Sequence, residues 1–231
     1  MNKLYTAVGR IQVNGTIGSK RCPMVIINGK EYILDLQEMM LWSVLNWRIL
    51  TEEELQSLYA EKEHEVGYLA QRKTEDCMRR LVQRGLVAEG CGVTPADALY
   101  DLLAGLYIIP ISENIFLRLI SFVKLTVFNG VPYTVTKKIL RTDKRTDSEK
   151  NVIQLAKQAL MSTAEIIKCV SLNQIRFDSE ECLLDTLYHD DITTSDNLPE
   201  YSRALTACRP VLTSVANLYL RKQIIFERLY T

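Results

Sequence analysis

The 231-residue chain is 47% apolar and 24% charged, an ordinary globular composition long enough for one large domain or two small ones. Lys+Arg and Asp+Glu both total 28, which excludes a global field toward nucleic acid or anionic membrane. Any nucleic-acid surface must therefore be local.

The first stretch reads as β structure. Tyr5–Val13 partly alternates and ends at Asn14-Gly15, a dipeptide suited to a tight hairpin turn. Met24–Ile27 and Glu31–Leu34 flank Asn28-Gly29, a second signal of that kind, so residues 4–33 are expected to make a small antiparallel sheet. Asp35 or the nearby turn then opens a helix in which Leu36, Met39, Met40, Val44 and Trp47 repeat at helical spacing. Thr51 and Glu54 form a capping box for the next helix, with Leu55, Leu58 and Tyr59 on its buried side. Its outer side carries six Glu and one Lys between Glu52 and Glu65, a count of −5 that would repel phosphate. Thr74 is expected to cap a third helix. Cys77, Met78, Leu81 and Val82 face inward, and Arg79, Arg80 and Gln83 face outward. Gly85 stops that helix, Leu86–Glu89 reads as a strand, and Gly90-Cys91-Gly92 reads as the turn of a short wing.

Three helices leaving through Leu81-x-x-Arg84-Gly85-Leu86-Val87 into a strand resemble the winged-helix domains of bacterial transcription regulators. With the preceding Ile27–Leu34 hairpin, the same 60–90 residues are similar to the winged-helix peptide-recognition domains of ribosomal-peptide maturation. The first resemblance implies double-stranded DNA as partner, often through a homodimer reading two half-sites. The second implies a protein or peptide partner, added as a strand beside the N-terminal sheet.

Thr94-Pro95 starts another helix with Pro at its first position, and Tyr107–Ile111 is extended. Ser112 is expected to cap a helix through Phe128, followed by a basic run with Lys137, Lys138, Arg141, Lys144 and Arg145. Asp147–Val170 has an apolar face wide enough to sit at the centre of a bundle, and a shorter helix spans Ser179–Tyr188. The last helix is expected over Pro210–Leu229 as a bundle member or dimer seam, with Lys222 interrupting its apolar repeat. No internal repeat is evident. The expected fold is mainly α with a small β component: a winged helix with N-terminal hairpins over 1–111, and a C-terminal helical bundle over 112–231.

Function is expected to be binding rather than catalysis. Two histidines and no Gly-x-Ser-x-Gly or P-loop spacing argue against nucleophilic or phosphoryl chemistry. His189-Asp190-Asp191, near Asp185 and Asp196, reads as a solvated acidic loop, so no metal or other cofactor is expected. On the DNA reading, Arg79 and Gln83 reach base edges, Arg72 and Lys73 hold phosphates, and Arg80 and Arg84 complete the basic face. Glu75 and Asp76 oppose it from the end that enters the groove. The six scattered cysteines, without a Cys-x-x-Cys pair, and a start without a signal-peptide run suggest a reducing cytoplasm. The longest apolar run, near Leu102–Ile111, is too short for a bilayer.

Overall fold

A strand at the N-terminus, β1 (Asn2–Ala7), leaves its sequence neighbours and lies antiparallel between β5 (Leu50–Thr51) and β6 (Val87–Gly92). The structure is a computed structural model describing residues 1–17, 20–67, 72–111, 144–189 and 192–229. Gly9 makes the break after β1. Its φ is +86°, and a Cβ there would lie 2.5 Å from the Ile26 carbonyl oxygen, so only glycine fits. The expected single N-terminal sheet is thus two. The second sheet pairs β2 (Arg10–Ile17), β3 (Lys20–Ile27) and β4 (Lys30–Ile33). Asn28 and Gly29, at φ 47° and 73°, make the β3–β4 turn as expected. Asn14-Gly15 makes no turn: β2 runs through it, with a shift of register between Gln12 and Gly15.

The first two helices that follow are closed by their local caps. Asp35 and Glu38 close a capping box on α1 (Leu36–Leu45), and Thr51 and Glu54 close one on α2 (Glu52–Val66). In α3 (Thr74–Gln83), Lys73 takes the cap position without a side-chain bond, and Thr74 falls inside the first turn. Gly85, at φ +71°, ends that helix as expected. The expected wing turn is not a turn: Gly90-Cys91-Gly92 continues β6 opposite Asn2–Leu4. The glycines are there because α4 (Pro95–Leu103) presses on the strand. A Cβ at Gly90 would stand 2.4 Å from the Ala98 carbonyl oxygen.

The C-terminal half is mixed rather than an all-helical bundle. β7 (Tyr107–Pro110) lies between β8 (Met161–Ser162) and β9 (Ile224–Glu227) in a third sheet. The long helix expected over 147–170 is two, α5 (Asp147–Gln158) and α6 (Thr163–Ser171). Ala159 is extended between them, and Ser162 with Glu165 forms a fresh capping box. α7 (Glu180–Tyr188) starts at Ser179 as expected; α8 (Leu198–Ser202) and α9 (Cys208–Leu220) follow. The final helix therefore stops before Lys222, whose φ of +59° turns the chain into β9. The apolar side of α9, including Val211, Val215 and Tyr219, is buried inside the chain rather than left as a seam. The expected helix over 112–128 and Lys137, Lys138 and Arg141 lie outside the described residues.

Among the described residues the two halves share a frame of strand, helix, two-residue strand, helix, helix and strand in one register, with α7 and α8 inserted in the second. In both, the first strand is central, flanked by a two-residue strand and by the last strand. Leu4 opposes Thr51 and Gly90; Tyr107 opposes Ser162 and Glu227. Leu50-Thr51 enters α2 as Met161-Ser162 enters α6, each through a capping box. The helix stops match as well. Gly85 and Leu86 donate to Val82 and Leu81, while Lys222 and Gln223 donate to Tyr219 and Leu218. The chain is therefore an internal structural duplication. A single hydrophobic cluster runs through both units, joining Val8, Leu45 and Leu86 to Leu155, Val215 and Phe226.

Candidate functional site

The expected basic face is assembled, but most of its cations are already engaged. Three guanidinium groups converge on the start of α1. Arg84 Nη1 donates to Glu38 Oε2 at 2.8 Å, and its Nη2 donates to the Ile33 carbonyl at 2.7 Å. Arg80 Nη2 lies 3.3 Å from Glu38 Oε1, and Arg72 donates to Asp35. Burial acts to raise the Asp35 carboxyl, but the Glu38 backbone N–H and Arg72 outweigh it and hold it below the usual range. Arg79 pairs at 3.6 Å with Asp76, one turn back on its own helix. Lys73 and Gln83 are exposed.

A groove of about 250 Å³ opens beside this face, between the first turn of α2, the length of α3 and the first sheet. Leu55, Met78 and Val82 supply its apolar floor, and Arg79 and Gln83 belong to its rim. At the sheet wall Glu89 is the hub: it accepts from the Tyr5 hydroxyl at 3.1 Å and pairs with Lys3 at 3.2 Å. Burial, and then Glu89, push the Tyr5 hydroxyl far above its ordinary value, so it remains a donor. The hydrogen bond and charge of Glu89 raise the Lys3 ammonium, which stays cationic. Glu52 and Glu75 complete the rim, and among the described residues neither makes an ion pair. The groove can thus bury an apolar side chain while presenting carboxylates, a tyrosine donor and backbone groups. Among the described residues that line it there is no nucleophile–base pair of the kind acyl or phosphoryl transfer requires.

Sequence reasoning placed Arg79 and Gln83 on this surface but missed Lys3, Tyr5, Glu52 and Glu89 as its partners. Lys3 and Glu89 meet only through the β1–β6 pairing, a contact no local pattern encodes. The other candidates do not join it. Lys144 is exposed, and Arg145 bonds Gln223 at 2.6 Å near the third sheet. His189 lines a shallow notch with Cys182 and Asp185, while Asp190 and Asp191 lie outside the described residues. Among the described residues no cluster of three His, Cys, Asp or Glu could hold a metal ion, and no helix is long and apolar enough to cross a membrane.

Comparison with known proteins assigns no family: no protein-family model, no curated protein and no solved structure matches the chain.

Proposed function

We propose that this chain is a non-catalytic adaptor that binds a protein or peptide in the groove between α2, α3 and the first sheet. The observation that carries this reading is the state of the cations around α3. Arg72, Arg80 and Arg84 are held by Asp35 and Glu38, so a phosphate would have to compete with carboxylates already in place. The groove beside them combines an apolar floor with a mixed-charge rim, the composition of a polypeptide site. The strand that follows α3 is pinned under α4, so the wing expected of a winged helix is not made by Gly90-Cys91-Gly92.

DNA binding by a winged-helix regulator is the second reading. It rests on Lys73, Arg79 and Gln83, exposed along one helix with Arg79 and Gln83 one turn apart. One pair of measurements separates the two. Fluorescence anisotropy with random-sequence duplex DNA is expected to show no binding whose strength falls steeply with salt. A photocrosslinking residue at Gln83 is expected to label a polypeptide, and to lose that adduct when Gln56→Trp fills the groove. Tight, salt-sensitive DNA binding that Lys73→Ala with Arg79→Ala weakens would overturn the adaptor reading.

A further inference from the structure

The duplication supplies an internal template for what the groove accepts. Carried by the shared register, five of the positions that line it, Leu55, Thr74, Met78, Val82 and Glu89, become Ile166, Val211, Val215, Tyr219 and Phe226 in the second unit. All five are buried, and the first unit packs an aromatic ring against Tyr219. The Trp47 ring lies 5.5 Å from the Tyr219 ring, and the Trp47 backbone N–H donates to the Tyr219 hydroxyl at 3.0 Å. That hydroxyl donates onward to the Ala7 carbonyl. Gly9 N–H donates at 2.8 Å to the carbonyl of Phe226, on the edge of β9 away from β7. In the second unit an aromatic ring from one turn of the first unit thus lies against Tyr219, and the bend at Gly9 adds one hydrogen bond to the strand edge.

The first unit keeps the same frame with different lining. Val82 stands where Tyr219 stands, and Glu89 where Phe226 stands. Glu52 and Glu75 replace Thr163 and Leu212, and among the described residues nothing covers them. Of the two cations on this rim, Lys3 is paired with Glu89 and Arg79 with Asp76. Exposed Glu53 and Glu54 add to the negative side. An apolar slot with a donor-seeking strand edge and surplus carboxylates complements an extended, cationic segment.

We propose that the groove receives an extended basic peptide segment of another polypeptide, its aromatic side chain placed as the Trp47 ring is placed on Tyr219 and its backbone on the strand-edge carbonyl equivalent to the one Gly9 meets. An aromatic side chain enters over Met78 and Val82. A backbone N–H reaches the Glu89 carbonyl, and Lys or Arg side chains within about three residues face Glu52 and Glu75, the reach of an extended strand. This rests on the adaptor reading and names the class of its partner.

The test is selection of a displayed library of random dodecapeptides on the full chain. Binding of the recovered peptides is then measured to the wild type, to Gln56→Trp and to Glu52→Gln with Glu75→Gln. The substituted side chains are all exposed, and thermal melts of each variant verify that the fold is kept. Enriched peptides are expected to pair one aromatic residue with nearby Lys or Arg, to lose binding with Gln56→Trp, and to weaken about tenfold with the double Gln variant. Enriched peptides that are acidic or lack an aromatic residue, but are still blocked by Gln56→Trp, overturn this inference and leave the adaptor reading standing. Failure to enrich any peptide, or enriched peptides indifferent to Gln56→Trp, overturns both.

Discussion

The carboxylate of Glu38, almost wholly buried in the first turn of α1, accepts Arg84 Nη1 at 2.8 Å from the end of α3, and Glu149 meets Arg221 in the same way between α5 and α9. Each Glu also completes the capping box of its helix, and each Arg is the residue at which the last helix of its unit stops. The pair ties the first helix to the last in both units. Removing the arginine of such a pair strands a carboxylate out of water. Arg84→Ala and Arg221→Ala are each expected to destabilise the chain by roughly 3 kcal/mol in urea unfolding. A loss under about 1 kcal/mol, the level of an exposed pair, would show that these bridges do not hold the units together.

The helix stops differ in one instructive way. Gly85 and Lys222 occupy equivalent positions with φ of +71° and +59°, but only the first lacks a Cβ. The left-handed conformation costs a residue with a side chain about 1 kcal/mol, of which the looser unfolded glycine chain gives back part. Lys222→Gly is therefore expected to raise stability by about 0.5 kcal/mol, and Gly85→Ala to lower it by about 1 kcal/mol. Equal effects of the same sign, measured by chemical denaturation, would contradict the equivalence.

What was legible in the sequence was local. The box at Thr51-x-x-Glu54, the Thr94-Pro95 helix start, the Asn28-Gly29 turn and the stop at Gly85 each lie within four residues, and each forms as read. The duplication was not legible because its signal is geometric. Between 81–90 and 218–227 only Leu81/Leu218 and Arg84/Arg221 are identical, and a longer connection separates α6 from α9 than α2 from α3. β9 passed as helix because Tyr219 and Phe226 fall at helical spacing by coincidence, while the residue that breaks the helix is a lysine. The candidate site divides in the same manner. The cations of α3 are visible as a stripe, but nothing local marks Glu38, whose burial, which engages Arg80 and Arg84, depends on the fold.

The thiols give an independent reading of burial. Burial pushes the Cys77 thiol up to about 11 and, with Glu165 adding to it, the Cys169 thiol up to about 12. At pH 8 only about one Cys77 in a thousand would be thiolate, the reactive form. Alkylation followed by peptide mass spectrometry is expected to modify Cys182, which is partly exposed, within minutes. Cys77 and Cys169 are expected to stay unmodified until denaturant is added. Rapid native-state labelling of either would mean that α3 or α6 opens readily.

Glu227 offers a test with a definite sign. It lies at the end of β9 and accepts the Asn28 N–H at 2.8 Å, joining the third sheet to the β3–β4 turn. Burial raises its carboxyl above the ordinary value, although the Asn28 N–H and Arg10 pull the other way. A raised carboxylate pKa means that ionisation opposes folding. Below the unfolded value, about 4.3, both states are protonated and the penalty is absent. It grows as pH rises from there to the folded-state pKa, and stays constant above it. Glu227→Gln keeps an acceptor oxygen for Asn28 and removes the charge. Urea unfolding between pH 4 and 7.5 is expected to show the Gln variant gaining on the wild type as pH rises, then holding a constant lead. A wild type that gains on the variant with rising pH would mean that Arg10 and Asn28 outweigh burial, and that the charge helps to clamp the turn to the third sheet.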